Sequence, residues 1–359
     1  MRCTGPLGYA LSGSAVLALL AGCSGGGGSS SPTPLSATQP QLVSRSVNSF
    51  SRQITHTPSV LRPGVNAIVN PDHSAGFADP DAAAKGAIIV SDSGTDDVYA
   101  YSAAGKLVAT ITGFSEPQGM GGTKAGDFYV SNTGDSNIIE YKNDYKTVVA
   151  TLTDAGQYPV GVSYEETTGL VGVTNIISTS DGPGSVSLYA KGKTTPCETV
   201  SSSTFARVYF DAFDAAGDLF IDGENTNGAV VVGEIVKAAC KAKQKIVVLT
   251  TKNSIEFPGG VAVTKAGDII LDDQEGEAVY TYKAPVKGSL GSPVSTTPLT
   301  GASDPVTFAL TSTEKDVWTA DAGLAASEEY AYPKGGSDVK AITGLSEPIG
   351  VVVTPVEVP

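Results

Sequence analysis

The sequence predicts an all-β fold: a six-bladed β-propeller of four-stranded antiparallel blades, its ring closed by the C-terminal strand. Three observations carry this. The 359 residues include 42 glycines, and apolar runs of helical period are scarce, which favours short strands joined by tight turns. A proline motif recurs as EPQG at Glu116, YPVG at Tyr158, FPGG at Phe257, DPVT at Asp304 and EPIG at Glu347, with a degenerate FARV at Phe205. The intervals of roughly 40 to 50 residues match the period of propeller blades. Third, EPIGVVVTPVEVP at the C-terminus is a first strand with no second strand after it.

Taken from the N-terminus, residues 1–22 read as an export signal: Arg2, an apolar core and small residues before Cys23. Leu20-Ala21-Gly22-Cys23 resembles the bacterial lipobox, which implies cleavage before Cys23 and lipidation of that cysteine. Residues 23–64, opening with SGGGGSSSPTP, read as a flexible linker. No second apolar run approaches the ~20 residues needed to span a bilayer. The expected product is exported and lipid-anchored in the bacterial envelope, at the outer membrane if the host has one, because Ser24 rather than aspartate follows the cysteine. Cys197 and Cys240 then remain, and an oxidising compartment makes them one expected disulfide.

Residues 65–359 hold the repeats. In each, a short strand follows the proline, then a turn such as KAGD at Lys124 or Lys265. The second strands are AIIVSD, FYVSN, LVGVTN, LFIDG, IILDD and VWTAD, and they count six blades. The third strands end mostly in tyrosine (Tyr101, Tyr141, Tyr189, Tyr282 and Tyr332), with Ile235 in the odd blade, and the fourth strands are apolar. A meander of this kind cannot bury both faces alone, and radial stacking covers each sheet with its neighbours. The first blade, from about Gly86, lacks an ordinary first strand. The C-terminal strand is expected to supply it, because TGLSEPIG nearly duplicates TGFSEPQG; the competing candidate is RPGVNAIVN at Arg62.

From Gly86 to Pro355, the proline-x-glycine, the glycine-aspartate turn and the FYVSNTG-like and IIEY-like strands resemble the NHL repeat. The resemblance implies a propeller, and NHL-like propellers serve as enzymes, binding modules and scaffolds alike. Distantly, the chain is similar to SMP-30/gluconolactonase-like propellers, a group that implies a channel-bound divalent cation held by Glu, Asn and Asp. Here Glu116 and Glu347 stand directly before proline and no asparagine follows one, so that ligand set does not transfer. Virginiamycin B lyase-like propellers imply a catalytic histidine, but both histidines, His56 and His73, precede the first blade.

The expected function is a non-catalytic binding or interaction module at the cell envelope, needing no metal or cofactor and acting as a monomer. The alternative is a lactonase-like hydrolase using a channel-bound divalent cation. A net charge of −14 excludes nucleic acid as a partner. The polar residues ending the second strands (Asp92, Asn132, Asn175, Asp273 and Asp321, with Asp222 and Glu224 flanking the degenerate copy) are read as turn caps rather than metal ligands, and the repeated tyrosines as inter-blade packing. The candidate site is the loop before each proline, where the chain crosses between blades at the channel mouth. Round the ring the residues are Glu347, Glu116, Tyr158, Phe205, Phe257 and Asp304, with Arg207 beside the aromatics. Such a mouth suits a carbohydrate, another small molecule or a protein ligand.

Overall fold

The computed structural model describes residues 66–69 and 87–355. Six antiparallel sheets form the ring. The first described strand, β1 (Asn66–Val69), is followed by blade 1: β2 (Ala87–Asp92), β3 (Asp97–Ser102) and β4 (Leu107–Ile111). Blade 2 comprises β5 (Pro117–Gly122), β6 (Phe128–Asn132), β7 (Asn137–Tyr141) and β8 (Val148–Thr153). Blade 3 comprises β9 (Gln157–Tyr164), β10 (Val171–Ser178), β11 (Ser185–Tyr189) and β12 (Glu198–Ser201). In blade 4 the strands are β13 (Arg207–Phe213), β14 (Leu219–Glu224), β15 (Val230–Ile235) and β16 (Val247–Thr251). Blade 5 has β17 (Pro258–Val263), β18 (Ile269–Asp273), β19 (Ala278–Tyr282) and, after the short β20 (Ser289–Gly291), β21 (Ser295–Thr300). Blade 6 has β22 (Pro305–Leu310), β23 (Asp316–Asp321), β24 (Ala326–Ala331) and, after β25 (Gly336–Ser337), β26 (Lys340–Thr343). The last strand, β27 (Pro348–Thr354), returns to blade 1.

Burial follows radial position. The second strand of blade 1 is buried at every residue, β8 on the outside of blade 2 at only one. A strand covered by blades on both sides reads as a continuous apolar run, which is why AIIV, IIL and LFI mark these positions. The third-strand tyrosines bury their rings, and two of them bond backward to the preceding blade. Tyr189 of blade 3 donates to the Thr153 carbonyl of blade 2 (3.2 Å), and Tyr282 of blade 5 donates to Asn253 beyond blade 4. In blade 6 the repeated position is Tyr330, paired with Val317 as Tyr282 is with Ile269, and not Tyr332. Tyr332 lies two residues further and bonds Thr281 of blade 5 (2.8 Å).

The C-terminal strand closes the ring. β27 pairs antiparallel with β2 from Ala87↔Thr354 to Asp92↔Pro348, and Ile349, Val351 and Val352 are buried. The competing segment has another place. β1 adds in parallel to β26, as a fifth strand on the outer edge of blade 6.

That parallel addition belongs to a pattern set by the connection between third and fourth strands. A long connection leans back over the outer edge of the preceding blade. β20 pairs in parallel with β16, and β25 with β21. Blade 1 joins β3 to β4 by a tight turn at residues 103–106, too short to reach blade 6, and β1 covers that edge instead. At blades 3 and 4 the same inclination brings Cys197 and Cys240 together with α-carbons 5.4 Å apart, in a disulfide. The residues are 43 apart in sequence, so the bridge is worth about 3–4 kcal/mol in the chain-entropy model. The denatured, unreduced protein is expected to show neither thiol as reactive; two reactive thiols would disprove the bridge. Replacing both cysteines with serine should cost a similar free energy in a denaturant melt.

Candidate ligand site at the channel mouth

Each inner strand begins with an irregularity. The ladder slips just inside the proline, between Pro117 and Met120 in blade 2 and between Pro258 and Val261 in blade 5. The crossing loop before it is held by the polar residue ending the second strand. Asp92 accepts the backbone N–H groups of Ser346, Glu347 and Gly94 (2.7, 2.8 and 3.0 Å). Asp273 does the same for Glu256, Phe257 and Gly276, and Asp321 for Ser303, Asp304 and Leu324. Asn132 accepts the Ser115 N–H at 2.6 Å. Asn175 instead donates to Ser185 and Ser187 within its own blade. These oxygens therefore set the turns.

The pairing register revises blade 4. Met120 pairs with Val130 and Val261 with Leu271, each three residues after a proline; the equivalent pair is Asp211↔Ile221. Val208 thus stands at the proline position and Arg207 at the one before it. FARV at Phe205 suggests a frame two residues earlier. The structure places Phe205 away from the mouth, 1% exposed in the core between blades 3 and 4. A Cβ added at Gly223 or Gly233 would strike its ring, so these glycines make its room. The mouth ring is Glu347, Glu116, Tyr158, Arg207, Phe257 and Asp304, one from each blade in order.

Arg207 stands between two aromatic positions, with Glu347 on the opposite blade. Its guanidinium donates to Glu224 Oε2 (3.1 Å), and the Tyr209 hydroxyl donates to the same oxygen (2.8 Å). Phe257 meets Tyr209 edge-on at 5.7 Å between ring centroids. Glu224 and Tyr209 thus fix the arginine; the sequence marks Glu224 only as a turn cap flanking the degenerate copy and does not mark Tyr209, because the blade 4 frame hides their relation to Arg207. Tyr158 and Phe257 are half-buried against an apolar cluster containing Val160, Tyr209, Val306 and Ile349. These four come from blades 3, 4, 6 and 1, from the position just after the proline. Drawn from opposite sides of the ring, they make the floor of the mouth. Glu116, Asp304 and Glu347 are half-buried on the other side; Glu116 has φ 53° and donates its N–H to Asp96 (2.7 Å).

Deeper along the axis the inner strands enclose a cavity of about 40 Å³. Its lining includes Val351, Met120, Val162, Asp211, Val261 and Phe308, the equivalent residue of all six blades. Asp211 is the one polar member. Ser163 donates to it, but Asp211 Oδ1 has no hydrogen-bond partner. Burial pushes its carboxyl up to about 7. Burial also raises Asp222 and Asp272, with neighbouring carboxylates adding to the effect. A divalent cation of the calcium type wants six to eight oxygen ligands. One carboxylate in an otherwise apolar ring does not fit it, so the lactonase-like channel site finds no ligand set here. No group of three or more His, Cys, Asp or Glu arranged to hold a metal occurs among the described residues. Asp211 and Asp272 escaped the sequence reading, which takes Asp222 for a turn cap; with the correct blade 4 frame, an aspartate at a position otherwise valine, methionine or phenylalanine would have marked Asp211.

Charge divides between the two faces of the ring. The loops before inner strands and between second and third strands make the mouth face. It carries Asp96, Asp135, Asp181, Glu256, Glu275 and Glu277 besides the ring acids, and of the described basic residues only Arg207 and Lys252. All other described lysines lie in turns of the opposite face or at strand ends there. The mouth face favours neutral or cationic ligands.

No family model matches the chain, and no curated protein does. Among solved structures it is similar to a functionally unknown protein from Desulfotomaculum acetoxidans DSM 771, at 12% identity and a TM-score of 0.53, over 76% of this chain and 99% of that one. The likeness extends to the fold alone.

Proposed function

We propose that the protein is an exported, lipid-anchored and non-catalytic binding module whose mouth ring takes a neutral polyol, a carbohydrate above all. The observation that supports this most is Arg207, clamped by Glu224 and Tyr209 between the aromatic positions Tyr158 and Phe257, across from Glu347, Glu116 and Asp304. Aromatic faces stack on sugar rings, carboxylates accept hydroxyl protons, and a fixed guanidinium donates to ring or hydroxyl oxygens.

Retention of the purified protein on immobilised envelope polysaccharides tests the reading. Tyr158→Ala and Glu116→Gln are each expected to weaken retention at least tenfold while changing stability by no more than about 1 kcal/mol, since rim residues contribute little to the core. Retention of both variants equal to the parent's would remove the mouth from consideration. The anchor rests on the LAGC motif, whose Cys23 lies outside the described residues. Cys23→Ser is expected to abolish metabolic labelling with fatty acid, and persistent labelling would refute lipidation.

A further inference from the structure

We propose that the face opposite the mouth docks on an anionic phospholipid surface through a lysine patch at blades 3 and 4, so that the mouth is presented away from the bilayer. This rests on the envelope location proposed above, though not on lipidation itself.

The patch is built by the disulfide. Lys191 and Lys193 lie in the connection leading to Cys197. Lys237, Lys241, Lys243 and Lys245 lie in the connection around Cys240. All six are exposed, and none is within ion-pair distance of a described carboxylate. Elsewhere on the same face three lysines are matched, Lys142 by Asp127, Lys283 by Asp268 and Lys340 by Glu329, and the others are spread singly over several blades. Of the nearby carboxylates, Asp218 accepts the Lys237 N–H, and Glu198 and Glu234 are half-buried on their strands. Six unmatched lysines on two bridged loops concentrate positive charge on a chain of net charge −14. The acidic mouth face would be repelled by the surface that attracts them.

Two observations favour a bilayer over a soluble polyanion. Val236 and Val248 flank the Lys237–Lys245 segment and stand 50% and 37% exposed, offering apolar contact at the level of lipid headgroups. Second, β1 begins on this same face, because Asn66 pairs with Lys340 at the start of β26, and β26 runs from this face toward the mouth. The chain leading back to Cys23 therefore joins the propeller on the lysine side. Anchor and patch would act as two signals toward one membrane.

The test uses the chain from Ser24 onward, which has no acyl group, so that failure of lipidation does not affect the result. Its co-sedimentation with vesicles of phosphatidylglycerol and phosphatidylcholine is compared with pure phosphatidylcholine vesicles. Binding is expected only to the anionic vesicles, falling steeply between 50 and 300 mM salt. A lysine near such a surface is worth about a fivefold change in binding. Reversal of Lys191, Lys193, Lys241 and Lys243 to glutamate should therefore weaken binding at least a hundredfold, whereas Lys252→Glu on the mouth face should change it less than twofold. A variant that melts as the parent does and still binds would overturn the proposal. So would equal binding to neutral vesicles, no binding at 50 mM salt, or displacement by soluble dextran sulfate at equal charge with no preference for lipid, which would assign the patch to a polymer.

Discussion

Removal of residues 344–359 is expected to abolish the cooperative unfolding transition. β27 is the inner strand of blade 1, and without it β2 loses its partner from Ala87 to Asp92. The loss extends across the axis. Ile349 leaves the floor cluster, the Thr307 hydroxyl loses the Ile349 carbonyl (2.7 Å), and Ser91 loses the Gly350 N–H (2.8 Å). Blades 2 and 6 then each expose a face shaped for an inner strand. Gly350 packs its backbone against the Gln118 carbonyl, where a Cβ would lie 2.3 Å away; no residue with a side chain fits that contact. β1 cannot replace the strand, because it is occupied in parallel on β26 at the far edge of blade 6. The expected result is a chain that binds a hydrophobic dye and melts without a sharp transition. A truncated protein melting as sharply as the parent, at a similar temperature, would mean that the ring closes by another strand.

The second large effect is on the dependence of stability on pH. Burial raises the carboxyl of Asp211 to about 7, and the same cause raises Asp222 and Asp272. A group whose folded pKa is raised binds its proton more tightly in the native state. Its contribution is fully present below the unfolded value, near 4, and is lost as pH rises through the folded value. For Asp211 this window runs from about pH 4 to about pH 7, and three pKa units correspond to about 4 kcal/mol. The propeller is thus expected to be more stable near pH 5 than at pH 8, until protonation of acid-stabilising groups such as Asp144 and Glu165, whose carboxyls are lowered, reverses the trend at lower pH. Asp211→Asn removes the titration while keeping the shape. Denaturant melts at the two pH values should show the variant gaining up to about 4 kcal/mol over the parent at pH 8 and much less at pH 5. A gain that does not change with pH would mean that Asp211 is not protonated in the native state.

Why the chain keeps these acids in its core has a partial answer in the geometry. Gly161 and Gly172 surround the Asp211 carboxyl, each so close that a Cβ would meet its oxygens at 3.0 and 2.9 Å. At the position of Asp222 and Asp272, blades 1 and 3 have Ser91 and Thr174. Their hydroxyls donate to inner-strand carbonyls of the next blade, Gln118 and Tyr209, at 2.5 Å each. Asp222 instead accepts the Phe210 N–H of its own blade (2.9 Å), and neither oxygen of Asp272 has a hydrogen-bond partner among the described residues.

The sequence alone determined the number of blades and the candidate cysteine pair, and it favoured the C-terminal strand for closure while leaving the segment at Arg62 in competition, a choice that the pairing of β27 with β2 decides. Each depends on a local signal repeated at a fixed interval: a proline that fixes φ at the start of an inner strand, a glycine-aspartate turn, and an unmatched first strand at the C-terminus. Where the local anchor is missing, only the tertiary structure decided. Blade 4 has neither proline nor glycine at its crossing, and FARV and RVYF are equally acceptable strands. The choice between them lies in the burial of Phe205 above Gly223 and Gly233 and in the pairing of Val208 with Gly223. That register moves Phe205 from the mouth to the core and makes Arg207 the ring residue. Tyr330 takes the repeated position from Tyr332 for the same reason: in EYAY at Glu329 the two tyrosines are interchangeable until a partner strand fixes the frame. The division of charge between the two faces is likewise a product of strand direction. Lysines scattered over more than two hundred residues gather on one side because every one of those turns reverses the chain at the same end of a blade.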